Sequence, residues 1–568
     1  MSAEQPVSLL NPDGISRGSA SPWPGNAAAD LALDRLVGAL EIDPRHRPLV
    51  LPLLLQPTRD PAVIEYRQEV LDDLAANPAM ADALEAMLGP LAELNDFRNL
   101  QTREASPLEH TVWRLRELNE CVECVAGLKA ALEPGSGKLR SHALRTLHAD
   151  LTALQGTREF QALAEELPEL LPRLRHLSSV TVGLNLNDRL QFSEATLLSV
   201  NDHKFHGSAL LERLARGGGG GEYQSSNPVY SVDDKAPNSL LGFALQGLTR
   251  LPEKPAARAL IEDLNRIQGP IFQPVATALR QYVGVATGLI SHLGPEIAFY
   301  AAARKLIERA HAVGLPMCRP AIAPADERAC DLKGTFDLSL LDRARTGSVV
   351  LNDARFDDEG RVLILTGPNG GGKTTFTRAV GLSQALFQVG LFVPAEEARL
   401  SPVDAILTHF PAEERPEIDA GRLAEESGRL SAIFRAATRH SLILLNESLA
   451  STSPGESLYM ARDIARALKL LGARAIFNTH LHELAAGTDD LNASTPGDGT
   501  IASIVAGAEL EGDEDDAGAR HRRTYRIRRG PPVGLSYARE IARQHGISYE
   551  QIAEKLEGRE AAPAGESG

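Results

Sequence analysis

The chain has 568 residues, 43% of them hydrophobic but only 5% aromatic, with a formal net charge of −16. That length points to about three or four domains at roughly 100–200 residues each, with cores of Leu, Ala, Val and Ile. The acidic balance excludes a whole-chain basic footprint for nucleic acid, so any such contact must be a local patch.

Residues 1–28 are rich in Gly, Ser, Pro and Asn and read as a mobile lead-in. They lack the basic region and apolar run of a signal peptide. No run of apolar residues approaches the length of a membrane span, so a soluble, cytoplasmic chain is expected. From Asp30 to about Leu177 apolar residues recur at three-to-four spacing, as in DPAVIEYRQEVLDDLAANPAMADALEAML, which predicts helices. Cys121 and Cys124 form a CxxC within such a stretch. Cys318 and Cys330 are not spaced as a second pair, so free, buried or half-buried thiols are expected rather than a metal or redox site. So few cysteines in so long a chain also argue against a disulfide scaffold.

The pattern then changes. SSVTVGLNLNDRLQFSEATLLSV has short β-branched runs about a polar turn at Asn185 to Asp188, the mark of a hairpin. Gly217 to Gly221 read as a flexible loop. Helical spacing resumes from about Leu251 to Val313. From Ser348 short apolar runs alternate with helices. The runs at 362–365, 441–445 and 473–479 suit a parallel sheet covered on both faces. Gly390 is a helix stop. The segment 456–471 places Leu458, Ala461, Ala465 and Leu468 on one helix face. The result is an α/β nucleotide-binding domain preceded by a mainly helical one. Residues 509–516 are acidic and read as a solvated loop, the basic RHRRTYRIRR after them as an edge strand, and the last ten residues as disordered.

Three motifs carry chemistry. Gly367, Pro368, Asn369, Gly370, Gly371, Gly372, Lys373, Thr374 and Thr375 contain G-x-x-x-x-G-K-[ST], between a strand and a helix. Glycines let the backbone wrap phosphate oxygens, and successive N–H groups supply positive potential. Lys373 reaches the terminal phosphates of a nucleoside triphosphate, and the Thr374 hydroxyl ligates Mg²⁺. SLILLNES ends a strand in Asn446 and Glu447, where such enzymes hold Mg²⁺ and orient the attacking water. Asn446 brings no charge but accepts a hydrogen bond from a magnesium-bound water, and Glu447 is the candidate general base. The plainer reading is that the two cap a helix. THLHEL places His480 after a strand, as a sensor of the γ-phosphate or as a structural histidine. His480 and His482 also have metal-ligand spacing, without a visible third ligand.

These residues resemble the MutS family of DNA mismatch-repair proteins. VLILTGPNGGGKTTFTRAVGLSQALFQVGLFVPA, SLILLNESLASTSPGES and FNTHLHEL look like its ATPase domain, and GLSYAREIARQHGISYEQIAEKL resembles its C-terminal helix-turn-helix. IEYRQEVLDDL and PEIAFYAAARKLIERAHAVGLPMCRP resemble its helical core more faintly. The resemblance implies an ABC-type, MutS-like P-loop ATPase domain over 346–545, ending in a helix and tail over 546–568. Before it would lie a helical core and lever domain over 29–345, with a short β insertion and the glycine loop near 180–240. It implies ATP and Mg²⁺ as ligands, a homodimer across the nucleotide sites, no membrane, and a DNA partner, duplex or branched, gripped by shape and phosphate contacts. Lever movement on DNA would then serve mismatch repair or recombination. The departures are specific. Asn446 stands where the family has Asp. The segment Gly421 to Glu426 matches the family's signature only in its last Glu. Val349 stands where a Phe usually stacks on adenine, and the mismatch-reading domain has no match. Asn446 and the signature therefore leave an alternative, a nucleotide-gated scaffold with slow or no hydrolysis, acting on a protein or branched DNA. The TGPN loop and the lack of long coiled coils speak against a transporter-type or chromosome-organising ATPase.

Overall fold

A strand buried on both faces needs apolar residues on both, and the runs in the C-terminal half have them, with polar residues such as Arg474, Asn478 and Asn446 at the strand ends. In the computed structural model they pair as a parallel sheet. The structure describes residues 7–12, 23–33, 47–55, 57–100, 107–172, 179–186, 188, 192–201, 273–280, 282, 288–345, 347–411, 422–449, 453–511, 520–532, 546–549 and 551–553. The loop Gly217 to Gly221, Gly421 of the signature-like segment, most of the C-terminal helix-turn-helix and the last ten residues lie outside them.

The strands are β1 Ser179–Leu186, β2 Phe192–Asn201, β3 Ala321–Ile322, β4 Cys330–Thr335, β5 Asn352–Phe356, β6 Val362–Thr366, β7 Glu397–Leu400, β8 Ile406–His409, β9 Leu442–Asn446, β10 Arg474–Asn478, β11 Ile501–Glu511 and β12 Arg520–Arg529. Two compact units divide the chain: Met1–Ala81, Lys138–Arg145 and Pro295–Gly568 form one, and Asp82–Gly137 and Thr146–Gly294 the other. This division differs from the boundary expected at 345–346. The residues from Pro295 onward join the first unit because β3 and β4 are strands of its smaller sheet, ordered β3-β7-β4-β5.

The larger sheet of the first unit is ordered β12-β11-β6-β10-β9-β8. All its pairings are parallel except β11 with β12, so RHRRTYRIRR is an antiparallel edge strand, as expected. Glu509 to Glu511, expected in a loop, instead extend β11. Helix Lys373–Gln388 follows β6 and helix Pro454–Leu471 follows β9. The second of these buries Ala461, Ala465 and Leu468 against Ile443, Leu445 and Phe477, with Leu458 half-buried.

The lead-in is packed rather than mobile in its described parts. Leu9, Leu10, Trp23 and Ala27 are buried. Ser8 Oγ donates to Glu296 at 2.7 Å, and the Ser8 and Leu9 carbonyls accept from Tyr66 and Tyr300 at 2.7 and 2.8 Å. Backbone groups satisfied by distant side chains hold a Gly- and Pro-rich segment that has no helical or strand period of its own.

In the second unit, helices Leu88–Leu100 and Pro107–Leu132 lie next to each other in the chain. Gly127 admits Met87 to the contact: an added Cβ would meet its sulfur at 2.6 Å. The expected hairpin is β1 with β2, antiparallel from Ser179↔Asn201 to Leu186↔Phe192. Cys121 and Cys124 are free and buried, and burial pushes both thiols up to about 12, as the helical reading of the CxxC requires. No described helix is long and apolar enough to cross a membrane.

Candidate nucleotide site

The order of the sheet brings the three motifs together. β10 lies between β6 and β9, and Leu365, Asn478 and Asn446 share one register level. The residues that follow each strand therefore emerge side by side at the carboxyl edge, where open α/β sheets bind ligands.

Residues 367–372 cross from β6 to the helix that begins at Lys373. Gly367 has φ +135°, and an added Cβ would lie 2.8 Å from the Ala506 Cβ and carbonyl, so β11 closes against the loop only because Gly367 has no side chain. Lys373 is 4% exposed. Its Nζ donates to the carbonyls of Gly367 and Pro368 at 3.0 and 3.2 Å, folding the ammonium back over the loop. Burial lowers its pKa, opposed by the charge of Glu447.

Thr374 Oγ1 donates to Asn446 Oδ1 at 3.0 Å, and Asn478 Nδ2 donates to the same oxygen. A hydroxyl and an amide oxygen are hard donors. Their separation matches that of neighbouring ligands around octahedral Mg²⁺ at roughly 2.0–2.1 Å. Thr374 and Asn446 thus fit the metal in position, though Asn446 supplies no charge. His480 Nε2 lies 3.1 Å from Glu447 Oε1. An ionised carboxylate only accepts, so Nε2 carries the proton. The Glu447 N–H donates to the Asn478 carbonyl at 2.9 Å. The loop, Thr374, Asn446, Glu447 and His480 are therefore one constellation. The helix-cap reading of Asn446 and Glu447 has no support: the cap of helix Pro454–Leu471 is Ser453, whose hydroxyl accepts from the Glu456 N–H. Among the described residues, no three His, Cys, Asp or Glu side chains gather as a metal site.

A cavity of about 550 Å³ opens beside the loop, lined by Gly372, Lys373 and Thr374 on one side and by Leu340, Val349 and Tyr525 on the other. That volume suits a small-molecule ligand of roughly 300–1,000 Å³ sites. Val349 does face it. Tyr525 is the residue that sequence reasoning missed. Between the pairs Ala506↔Ile527 and Ala508↔Arg523, Thr524, Tyr525 and Arg526 all oppose Gly507 in a bulge. Tyr525 has φ +54°, and its carbonyl accepts from Asn352 Nδ2 at 3.0 Å. The bulge re-aims its ring toward the loop, 3.5 Å from where a Gly372 Cβ would be. Arg523 Nη1 lies 2.8 Å from the corresponding position at Gly370. The single signal in the sequence was one aromatic in an otherwise basic strand. Leu423 to Glu426 form the first turns of helix Arg422–Ala436.

Comparison with known families agrees with this geometry. The family model of MutS domain V matches residues 363–502, which hold all three motifs, and that of the MutS2 N-terminal domain matches residues 59–313. The chain belongs to the MutS family. DNA mismatch repair protein MutS 1 of Halobacterium salinarum is 28% identical over 534 residues, covering 89% of this chain and 56% of that protein. DNA mismatch repair protein MutS of Sorangium cellulosum is 36% identical over 206 residues, covering 36% of this chain and 21% of that protein. That of Microcystis aeruginosa is 28% identical over 452 residues, covering 76% of this chain and 49% of that protein. The chain spans about half the length of the MutS relatives that it matches most broadly.

Proposed function

We propose that the chain is a MutS-type ATPase whose nucleotide cycle moves the helical unit on DNA. The observation that supports this best is the Glu447–His480 pair, 3.1 Å apart, at the rim of a cavity that also holds Lys373 and Thr374. ATP would place its phosphates along residues 367–375, with Lys373 released from its two carbonyls to the β and γ oxygens. Tyr525, Val349 and Leu340 would line the base and ribose end. Thr374 and Asn446 would hold Mg²⁺, which would supply positive charge to offset the charge that develops on the phosphates. Glu447 orients a water for in-line attack on the γ-phosphate, and the His480 N–H fixes that carboxylate and senses the phosphate. The names of the relatives support a DNA partner and a place in mismatch repair, and the family supports a dimer across the nucleotide sites.

A second reading has its own support. Asn446 Oδ1 already accepts two hydrogen bonds and is neutral, so the metal is held weakly and the site acts as a nucleotide-gated switch. One experiment separates the two. ATP turnover is measured with and without duplex, mismatched and branched DNA, beside Lys373→Ala and Glu447→Gln. DNA-dependent turnover that Glu447→Gln lowers by about 10²-fold or more supports the ATPase. Nucleotide binding that Lys373→Ala abolishes, without turnover on any DNA, supports the switch. No nucleotide binding at all sinks both.

A further inference from the structure

The backbone that carries Glu447 is unusual twice within three residues. Glu447 has φ +51° and Leu449 φ +67°, in the left-handed region that residues with a Cβ rarely adopt. Such strain persists only when its surroundings over-determine it, and it concentrates at functional sites. At the start of the segment, the Glu447 N–H is tied to the Asn478 carbonyl at 2.9 Å. At its end, the Leu449 side chain is buried in the apolar cluster of Leu407, Leu445 and Leu484, and its carbonyl accepts from Ser457 Oγ at 2.8 Å.

Between these ties sits Ser448, 5% exposed. Its hydroxyl lies 2.7 Å from His409 Nδ1. His409 is the last residue of β8, paired with Leu445 of β9, and is itself 2% exposed. Burial, and then the Arg429 guanidinium, push its pKa down to about 4, so the ring is neutral at neutral pH. Its Nε2 has no hydrogen-bond partner among the described residues. The contact with Ser448 is therefore the one side-chain hydrogen bond described for this ring. Breaking it would strand two buried polar groups.

We infer that His409 and Ser448 form a buried latch that holds Glu447 aimed at His480 and at the attacking water. The inference rests on the ATPase reading above. His409 is a positioning residue: it touches neither phosphate nor water and acts through Ser448. Without the latch, only the two outer ties hold Ser448 between its two left-handed neighbours. The segment then relaxes toward ordinary φ values and carries the Glu447 carboxylate away. The phosphate loop, built from β6 and its helix, is untouched.

The full chain is tested as Ser448→Ala, His409→Leu, the double variant and His409→Asn, which keeps a donor and an acceptor near the Nδ1 position. ATP turnover and nucleotide affinity are measured, and the crystal structure of Ser448→Ala is solved. Each disrupting variant is expected to lower kcat by about tenfold to a hundredfold, with nucleotide affinity held within about twofold. The double variant is expected to be no slower than the slower single, and His409→Asn to recover turnover. In the Ser448→Ala structure Glu447 should lie beyond hydrogen-bond reach of His480. Unchanged kcat in Ser448→Ala, losses that multiply in the double variant, or a Glu447–His480 contact kept intact overturns the latch. A parent chain without turnover overturns the ATPase reading instead, and the position of Glu447 in the Ser448→Ala structure then decides the latch alone.

Discussion

Asn446 sits at the end of β9 with its amide oxygen between two donors, the Thr374 hydroxyl and the Asn478 amide. Two acceptances use both lone pairs of a carbonyl oxygen. An aspartate in this position would accept the same two donors and add a charge, and hydrogen bonds to a charged group contribute about 1.5–3 kcal/mol against about 0.5–1.5 for neutral ones. Asn446→Asp is thus expected to fold. It should tighten Mg²⁺-dependent ATP binding by about tenfold, equivalent to ~1.4 kcal/mol. In EDTA the same variant should melt lower than the parent, because a carboxylate at a position that is 3% exposed is left without its cation. The check is an ATP titration with Mg²⁺ and with EDTA, beside a thermal melt in each. An equal Mg²⁺ effect in parent and variant would mean that position 446 does not face the metal.

Helix Lys373–Gln388 shows how one element is fixed at both ends. It starts at the phosphate loop and stops at Gly390, whose N–H bonds the Phe387 carbonyl at 2.9 Å, while the Leu391 N–H bonds that of Leu386 at 3.0 Å. Gly390 has φ +83°, and an added Cβ would stand 2.4 Å from the Arg67 Cβ. Arg67 in turn donates to the Val389 carbonyl at 3.2 Å. Gly390→Ala therefore adds backbone strain to a clash and should cost about 2 kcal/mol or more. In a unit of well over 250 residues that lowers Tm by roughly 2–3 °C. A Tm within about one degree of the parent would show that the helix end shifts freely.

The stop at Gly390 and the strands around it were legible in the sequence, because a fully apolar run, a glycine and a phosphate loop are local signals. The hairpin β1–β2 was legible for the same reason. Tyr525 was not: a bulge opposite Gly507 aims it, and no residue in RHRRTYRIRR marks where a strand will skip register. Ser8 and Leu9 were not either, since their partners are Glu296 and Tyr300. His409 and Ser448 meet only because β8 and β9 are neighbours. What escaped the sequence were contacts between segments far apart in the chain, and these are what shape the cavity and aim the carboxylate.

For the whole molecule the question is coupling. The chain carries 75 acidic against 59 basic residues, so its average field repels DNA, and attraction must come from local clusters of Lys and Arg. A grip with about four phosphate contacts would weaken by roughly a hundredfold between 50 and 200 mM salt. Salt dependence alone shows only that DNA binds. A nucleotide-driven lever requires that ATP and DNA prefer the same, or opposed, states of the chain, and such a preference is reciprocal. In Glu447→Gln, where hydrolysis does not disturb the equilibrium, ATP should change the DNA affinity by a factor of about 5–150, and DNA should change the ATP affinity by the same factor. Both are read by anisotropy, with labelled duplex in one titration and a labelled nucleotide in the other. A factor of one in both directions would separate the two ligands thermodynamically. The chain would then hold a nucleotide site and a DNA surface with no lever between them, however well each bound.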